Sequence, residues 1–151
     1  MVLLYRGTRD GMTSKIFHDK CDNQGKTITL YRNDKGHIFG GYASIPWSTE
    51  AGNWVNAPDS FIFTLTNIYN YNPSKLISKK ENAVNKEVYH NINYGPTFGN
   101  DVGLYSDFRQ KGWSLEFKTY QDYYGKSNSL FIGKEGTTDL IINEIEVYKL
   151  I

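Results

Sequence analysis

Four charged residues and one thiol are the side chains of this sequence best placed to do chemistry. Glu144 and Glu146 alternate within Ile-Asn-Glu-Ile-Glu-Val-Tyr, a run whose residue types favour a strand, so both leave the same face of it. Two carboxylates at that separation have the makings of an acid and a base. Paired charges on the wet face of a sheet show the same pattern, and that is the plainer reading. Arg9 and Asp10 lie in the polar turn Gly7 to Gly11 and join the two glutamates as a candidate functional surface. Cys21 is the single cysteine. Lys15, Lys20 and Lys26 are close to it in sequence and would favour a thiolate, which makes Cys21 a candidate redox thiol. The competing reading is a small core residue beside Phe17.

Other constellations fall short of a site. His18 and Cys21, three apart on one helix, present two metal ligands, but zinc needs four and neither His37 nor His90 has a partner at ligand spacing. Asp101 and Asp107 flank a glycine loop without the spacing of an EF-hand. Gly125-Lys126-Ser127 ends like a phosphate loop, yet Tyr120 occupies the position of the first glycine. Gly112-Trp113-Ser114 continues into Leu115-Glu116, not into a nucleophile elbow. Tyr120, Tyr123 and Tyr124 are either an interface cluster or half-buried sheet residues. This reading assigns no catalytic residue, no cofactor and no metal.

The elements that must hold these residues are mostly strands. Val2 to Arg6 reads as a first strand. A helix follows over about residues 13–22, with Thr13 as N-cap, Met12 and Phe17 spaced as a hydrophobic staple, and Gly25 near its end. Thr27 to Arg32 alternates, with Ile28 and Leu30 pointing one way, and Asn33-Asp34-Lys35-Gly36 is a turn. His37 to Trp47 returns as a strand, so residues 27–45 form a hairpin. Phe39, Ala43 and Ile45 share one face of that return strand, opposite Tyr42 and Ser44. Gly40-Gly41 interrupts it where other groups must come close, and Pro46 stops it.

Residues 48–58 read as a polar loop carrying Trp54, and 61–66 as a strand. Residues 67–87 are a polar excursion with a short edge strand near Lys75–Ile77. Further strands are expected at 88–91, 103–108, 113–117, 130–132 and 140–150. Regular short strands between glycine turns predict a mainly β, two-layer antiparallel sandwich with one or two flanking helices.

Composition supports this and narrows the function. The 151 residues suit one domain, and 8 Phe, 12 Tyr and 3 Trp can fill a core. Seventeen basic and 16 acidic residues leave a net charge of +1, unlike the basic surface that nucleic acid needs. The sequence has neither a leader pattern nor an apolar run of membrane-spanning length, and a lone cysteine forms no internal disulfide. A cytoplasmic protein is the expectation.

The order of short motifs adds a family likeness. Leu4-Tyr5-Arg6-Gly7-Thr8-Arg9-Asp10-Gly11, Phe17-His18-Asp19-Lys20-Cys21, Ile38-Phe39-Gly40-Gly41-Tyr42 and Pro46-Trp47 come first. Phe61-Ile62-Phe63-Thr64-Leu65, Tyr94-Gly95-Pro96-Thr97-Phe98-Gly99 and Glu144-Ile145-Glu146-Val147-Tyr148 follow. Nearly the whole chain resembles the TLDc domain of oxidation-resistance proteins, in the form seen in the protist branch. The helical lead-in that members carry before the first strand is not seen in this sequence. The resemblance implies a sandwich of two antiparallel sheets, a role in resisting oxidative stress and binding to the vacuolar-type proton ATPase, with no catalytic set. The function expected is therefore that of a non-enzymatic protein-interaction domain. The alternatives are a thiol-dependent antioxidant enzyme using Cys21, or a structural module of a larger multi-domain or cytoskeletal protein.

Overall fold

A computed structural model describes residues 1–50, 52–81 and 86–151. The elements are β1 (Val2–Arg6), α1 (Gly7–Asp10), α2 (Ser14–Cys21), β2 (Thr27–Asn33), β3 (Ile38–Ala43), β4 (Trp54–Val55) and β5 (Phe61–Thr64). They continue with β6 (Ser74–Ile77), β7 (Val88–Tyr89), β8 (Val102–Gly103), β9 (Gly112–Ser114), α3 (Ser129–Ile132), β10 (Asp139–Leu140) and β11 (Ile142–Lys149).

Six strands pair antiparallel in the order β1-β11-β2-β3-β5-β6. The second layer is made of β10-β9-β8 and β4-β7. Phe98 bridges to both Val88 and Val102 and so stitches the two small sheets together. The result is the expected two-layer antiparallel sandwich with short helices.

The Gly40-Gly41 pair is explained by both faces of β3. A Cβ on Gly41 would lie 2.5 Å from the ring of Phe98, which packs on the inner face. A Cβ on Gly40 would lie 1.9 Å from the Thr29 carbonyl oxygen and 2.7 Å from the Phe63 ring. Both glycines have negative φ, so space and not backbone freedom selects them.

The core between the layers is aromatic. Trp47 packs on Phe17 and on Phe98, each at a ring separation of 5.5 Å, and Phe39 stacks between Tyr31 and Phe131. The polar tips of the buried rings are satisfied, as burial requires. Tyr5 donates to the Gly11 carbonyl at 2.6 Å, Tyr31 to that of Pro96 at 2.7 Å, and Trp47 Nε1 to Thr27 Oγ1 at 2.9 Å.

The other face of the large sheet carries a cross-strand row. Register places Tyr148 beside Ile28, Ile28 beside Tyr42, Tyr42 beside Phe61, and Phe61 beside Ile77. The first four side chains are half-buried and Ile77 is exposed. Ile28 and Leu30 do share a face, as the alternation predicts. That face is the open one, while Thr27, Thr29, Tyr31 and Asn33 are buried.

Several expected elements differ. The 7–11 turn closes into the single-turn helix α1, with Gly11 N–H donating to the Gly7 carbonyl at 2.8 Å. Helix α2 starts at the predicted cap, where Thr13 Oγ1 accepts from Ile16 N–H, but it ends at Cys21 with Asp22 as C-cap. The left-handed turn begins at Asn23, φ 60°, ahead of Gly25. Residues 130–132 are helical, not a strand. Ile132 N–H donates back to the Asn128 carbonyl at 2.9 Å, Ser129 Oγ donates to the Lys126 carbonyl, and Gly133 terminates the turn with φ 86°.

The strand expected over 103–108 is limited to Val102–Gly103, and that over 113–117 to Gly112–Ser114. That expected over 88–91 is limited to Val88–Tyr89. The run 140–150 divides into β10 and β11. Trp54 forms a short strand within its loop, and β6 is the edge strand expected near Lys75–Ile77. Residue 51 of the 48–58 loop and residues 82–85 of the 67–87 excursion lie outside the described residues.

Candidate functional site

The predicted surface residues meet at the corner where β1 turns into α1 and lies along β11. Register pairs Arg6 with Glu146, and Arg6 Nε donates to Glu146 Oε1 at 3.2 Å. Tyr148, two residues on and on the same face, donates its hydroxyl to Glu146 Oε2. Glu144 accepts from the backbone N–H and hydroxyl of Thr8 and from the Ile145 N–H. Arg9 Nε and Nη2 grip Asp10 at 2.8 and 2.9 Å, and Asp10 Oδ2 also accepts from Arg6 N–H at 2.9 Å.

Arg6 and Thr8 are therefore the links that sequence reasoning missed. The signal available was register: a strand that starts the chain can pair with one that ends it and bring Arg6 opposite Glu146. The hydrogen bond from Arg9 is the main reason the Asp10 carboxyl sits low, at about 2. Acceptance of its hydroxyl hydrogen bond by Glu146 raises the Tyr148 phenol. Each carboxylate is committed to donors of the fold, so the corner fastens α1 to β11 and presents the half-exposed guanidiniums of Arg6 and Arg9 at its rim.

Cys21 is fully buried next to Phe17. Burial, then the Asp22 and Asp10 charges, push its thiol up, against the lowering effect of Lys20. The neighbouring lysines thus lose to desolvation. His18, three residues earlier, is also buried. Its Nδ1 faces Asp22 Oδ1 at 2.7 Å, and its Nε2 donates to the carbonyls of Asn91 and Tyr94, both at 2.9 Å. His18 clamps the 91–94 loop to α2, and its ring nitrogens are occupied.

The two aspartates of the glycine loop have separate tasks. Asp101 is buried and accepts from the N–H groups of Lys118, Thr119 and Tyr120 at 2.9 to 3.2 Å. Asp107 is held by Arg109 at 3.1 Å on the surface. Among the described residues, no group of three or more His, Cys, Asp or Glu side chains converges as a metal would require. The tyrosine cluster divides as well. Tyr120 is buried and donates to the Glu87 carbonyl at 2.6 Å, Tyr124 stacks on Tyr71 at 4.2 Å, and Tyr123 is exposed. Ser127, in the failed phosphate loop, donates to Asp122 at 2.6 Å.

A cavity of about 460 Å³ opens in the second layer, among residues that the sequence reading did not bring together. Trp54, Tyr89, Tyr94, Tyr105 and Trp113 line it, together with the Lys111–Asp139 ion pair. They come from five separated segments, so only the topology unites them.

Against this geometry the family likeness can be tested. The model of the TLDc domain matches residues 1–151. The chain belongs to the TLDc family. A comparison with curated proteins finds no match. TLDc domains are linked to oxidative-stress resistance, and the sandwich, the glycine-paired strand and the β1–α1–β11 corner are how this TLDc domain is built. Among its described residues, no helix is long and apolar enough to cross a membrane.

Proposed function

We propose that this TLDc domain is a non-enzymatic docking module in the defence against oxidative stress, and that its partner is the vacuolar-type proton ATPase. The family likeness supports the stress link. The observation that carries the docking role is the open face of the large sheet, where Tyr148, Ile28, Tyr42, Phe61 and Ile77 form an unbroken row. Apolar rows of this kind are the centre of protein interfaces, and charged groups at their edge form the rim. Here the Arg6–Glu146 pair borders the row at Tyr148.

The test is binding of the purified domain to purified vacuolar-type proton ATPase. Ile77 is 44% exposed, so Ile77→Glu leaves the fold intact and places a charge in the row. Binding by the parent domain and its loss in Ile77→Glu is the expected result. No binding by the parent, or equal binding by the variant, overturns the proposal.

A further inference from the structure

We propose that His90 is an acid-sensitive latch, whose protonation frees the β4–β7 ribbon and the 91–94 loop and so opens one wall of the aromatic cavity. The latch does not depend on the docking face, and its test needs no partner.

His90 follows β7 directly and is only 7% exposed. Its backbone N–H donates to the Asn53 carbonyl at 2.8 Å. That bond closes a ribbon only two residue pairs long, Trp54 with Tyr89 and Val55 with Val88. On the other side of His90 in the chain, His18 ties the 91–94 loop to α2. Trp54 and Tyr89, whose rings lie 4.4 Å apart, and Tyr94 are the part of the cavity wall that these ties hold.

The surroundings of the His90 ring suit its neutral form. The ring lies 6.2 Å from that of Trp47, in the aromatic core. One ring nitrogen is bonded to the Pro46 carbonyl. A carbonyl only accepts, so this nitrogen, Nδ1, carries the proton. Nε2 is buried and has no hydrogen-bond partner among the described residues. A second proton there makes a charged donor with no acceptor, which is costly to bury. The neighbouring acceptors, Asp22 Oδ1 and the Asn91 and Tyr94 carbonyls, are engaged by His18.

Two titratable groups act on the ring from α2 and its C-cap, His18 and Asp22. Neither β4 nor the 46–47 segment contains one, and β7 brings only Tyr89, whose ring faces Trp54. Burial is the largest influence and pushes the imidazole below its ordinary value; His18 adds to this, while Asp22 and the Pro46 carbonyl oppose it. Histidine in an opened chain titrates near pH ~6.5, so below that pH the open form takes a proton that the closed form does not. The closed latch therefore contributes stability above pH ~6.5 and loses it as pH falls towards the lower, folded value. The polar contacts of this pocket come from residues outside the strands of the large sheet, so the release is local.

The test follows the domain by nuclear magnetic resonance from pH ~7.5 to ~5. At the upper end a nitrogen–carbon correlation spectrum is expected to show His90 protonated at Nδ1 and bare at Nε2. The ring is expected to titrate below histidine in the denatured domain. Under pH ~6.5, protection of the His90 amide against hydrogen exchange is expected to fall by about tenfold per pH unit after correction for the intrinsic rate, as uptake of one proton requires. Amides of β2 and β3 are expected to keep their protection. His90→Asn keeps a side-chain N–H for the Pro46 carbonyl and has no titrating ring, so its protection is expected to be lower but level across the window. Should that variant not fold, the tautomer, the titration and the exchange of the parent decide the matter. A ring protonated at Nε2 near neutral pH, a midpoint at or above that of the denatured chain, loss of protection spread through the large sheet, or an equal slope in His90→Asn overturns the proposal.

Discussion

The ring of Phe98 occupies the space that a side chain on Gly41 would need, with three ring carbons 2.5 to 2.6 Å from the ideal Cβ position. One contact thus joins the central strand of the large sheet to the residue that stitches the small sheets. Gly41→Ala forces a fully buried ring to move and is expected to cost about 1–3 kcal/mol in urea unfolding. Gly40→Ala is expected to cost more, because the nearest obstacle is the Thr29 carbonyl and not a rotatable side chain. A double variant, Gly41→Ala with Phe98→Leu, is expected to lose less than the two single losses added. Strict additivity would show that the ring and the glycine do not share this space.

Cys21 is predicted to be inert in the native domain. Its side chain has no exposure, and burial followed by the Asp22 and Asp10 charges favours the protonated thiol. A thiol reagent added to native protein is expected to label it only at the rate at which the domain opens, and at once in denaturant. Cys21→Ser is expected to leave resistance to peroxide unchanged after correction for stability. Fast native labelling, or loss of protection in a stably folded Cys21→Ser domain, would restore the redox-thiol reading.

The contrast between β2 and α3 shows which signals survive in a sequence. The 27–45 hairpin was readable because a period of two, a turn sequence and a glycine pair all agree over many residues. Which face of β2 is buried was not. Thr27 and Asn33 are buried because Trp47 donates to one and the other ties the turn to Phe131, partners remote in sequence. Leu130-Phe131-Ile132 is buried on every side, and a run of that length without polar residues has no readable period. The corner was half-legible: Arg9, Asp10, Glu144 and Glu146 were named, but Arg6 and Thr8, which join them, follow only from antiparallel pairing. The aromatic cavity joins Tyr94 and Trp113, which stand in quoted runs, to Trp54, Tyr89 and Tyr105 through topology alone.

The Arg9–Asp10 contact predicts an acid dependence. The folded Asp10 carboxyl sits at about 2, first because of the Arg9 hydrogen bond and further through the Arg6 N–H. Its ordinary value is near ~4, so the folded state holds fewer protons than the unfolded one between these values. The contact therefore contributes stability above pH ~4 and loses it as pH falls towards 2. Arg9→Gln is expected to flatten this part of the stability profile, seen by denaturation across pH, and to speed hydrogen exchange at the Gly11 amide that closes α1. An unaltered profile would mean that the Arg6 N–H, and not Arg9, holds the Asp10 carboxylate.

Asp101 is predicted to behave in the opposite sense. Three backbone N–H donors favour its carboxylate, yet burial outweighs them and raises the carboxyl to about 6. Between pH ~4 and about 6 the folded state keeps a proton that the unfolded chain has released. This group's contribution to stability is therefore greatest at low pH and declines as pH rises through that window, levelling off above it. Carbon-detected titration of the Asp101 carboxyl is expected to show a midpoint near 6. Asp101→Asn removes the pH dependence in this window, but it sets an amide N–H₂ against one of the three donors and so lowers stability throughout. A titration midpoint at or below that of an exposed aspartate would show that the three N–H bonds, not burial, govern this carboxyl.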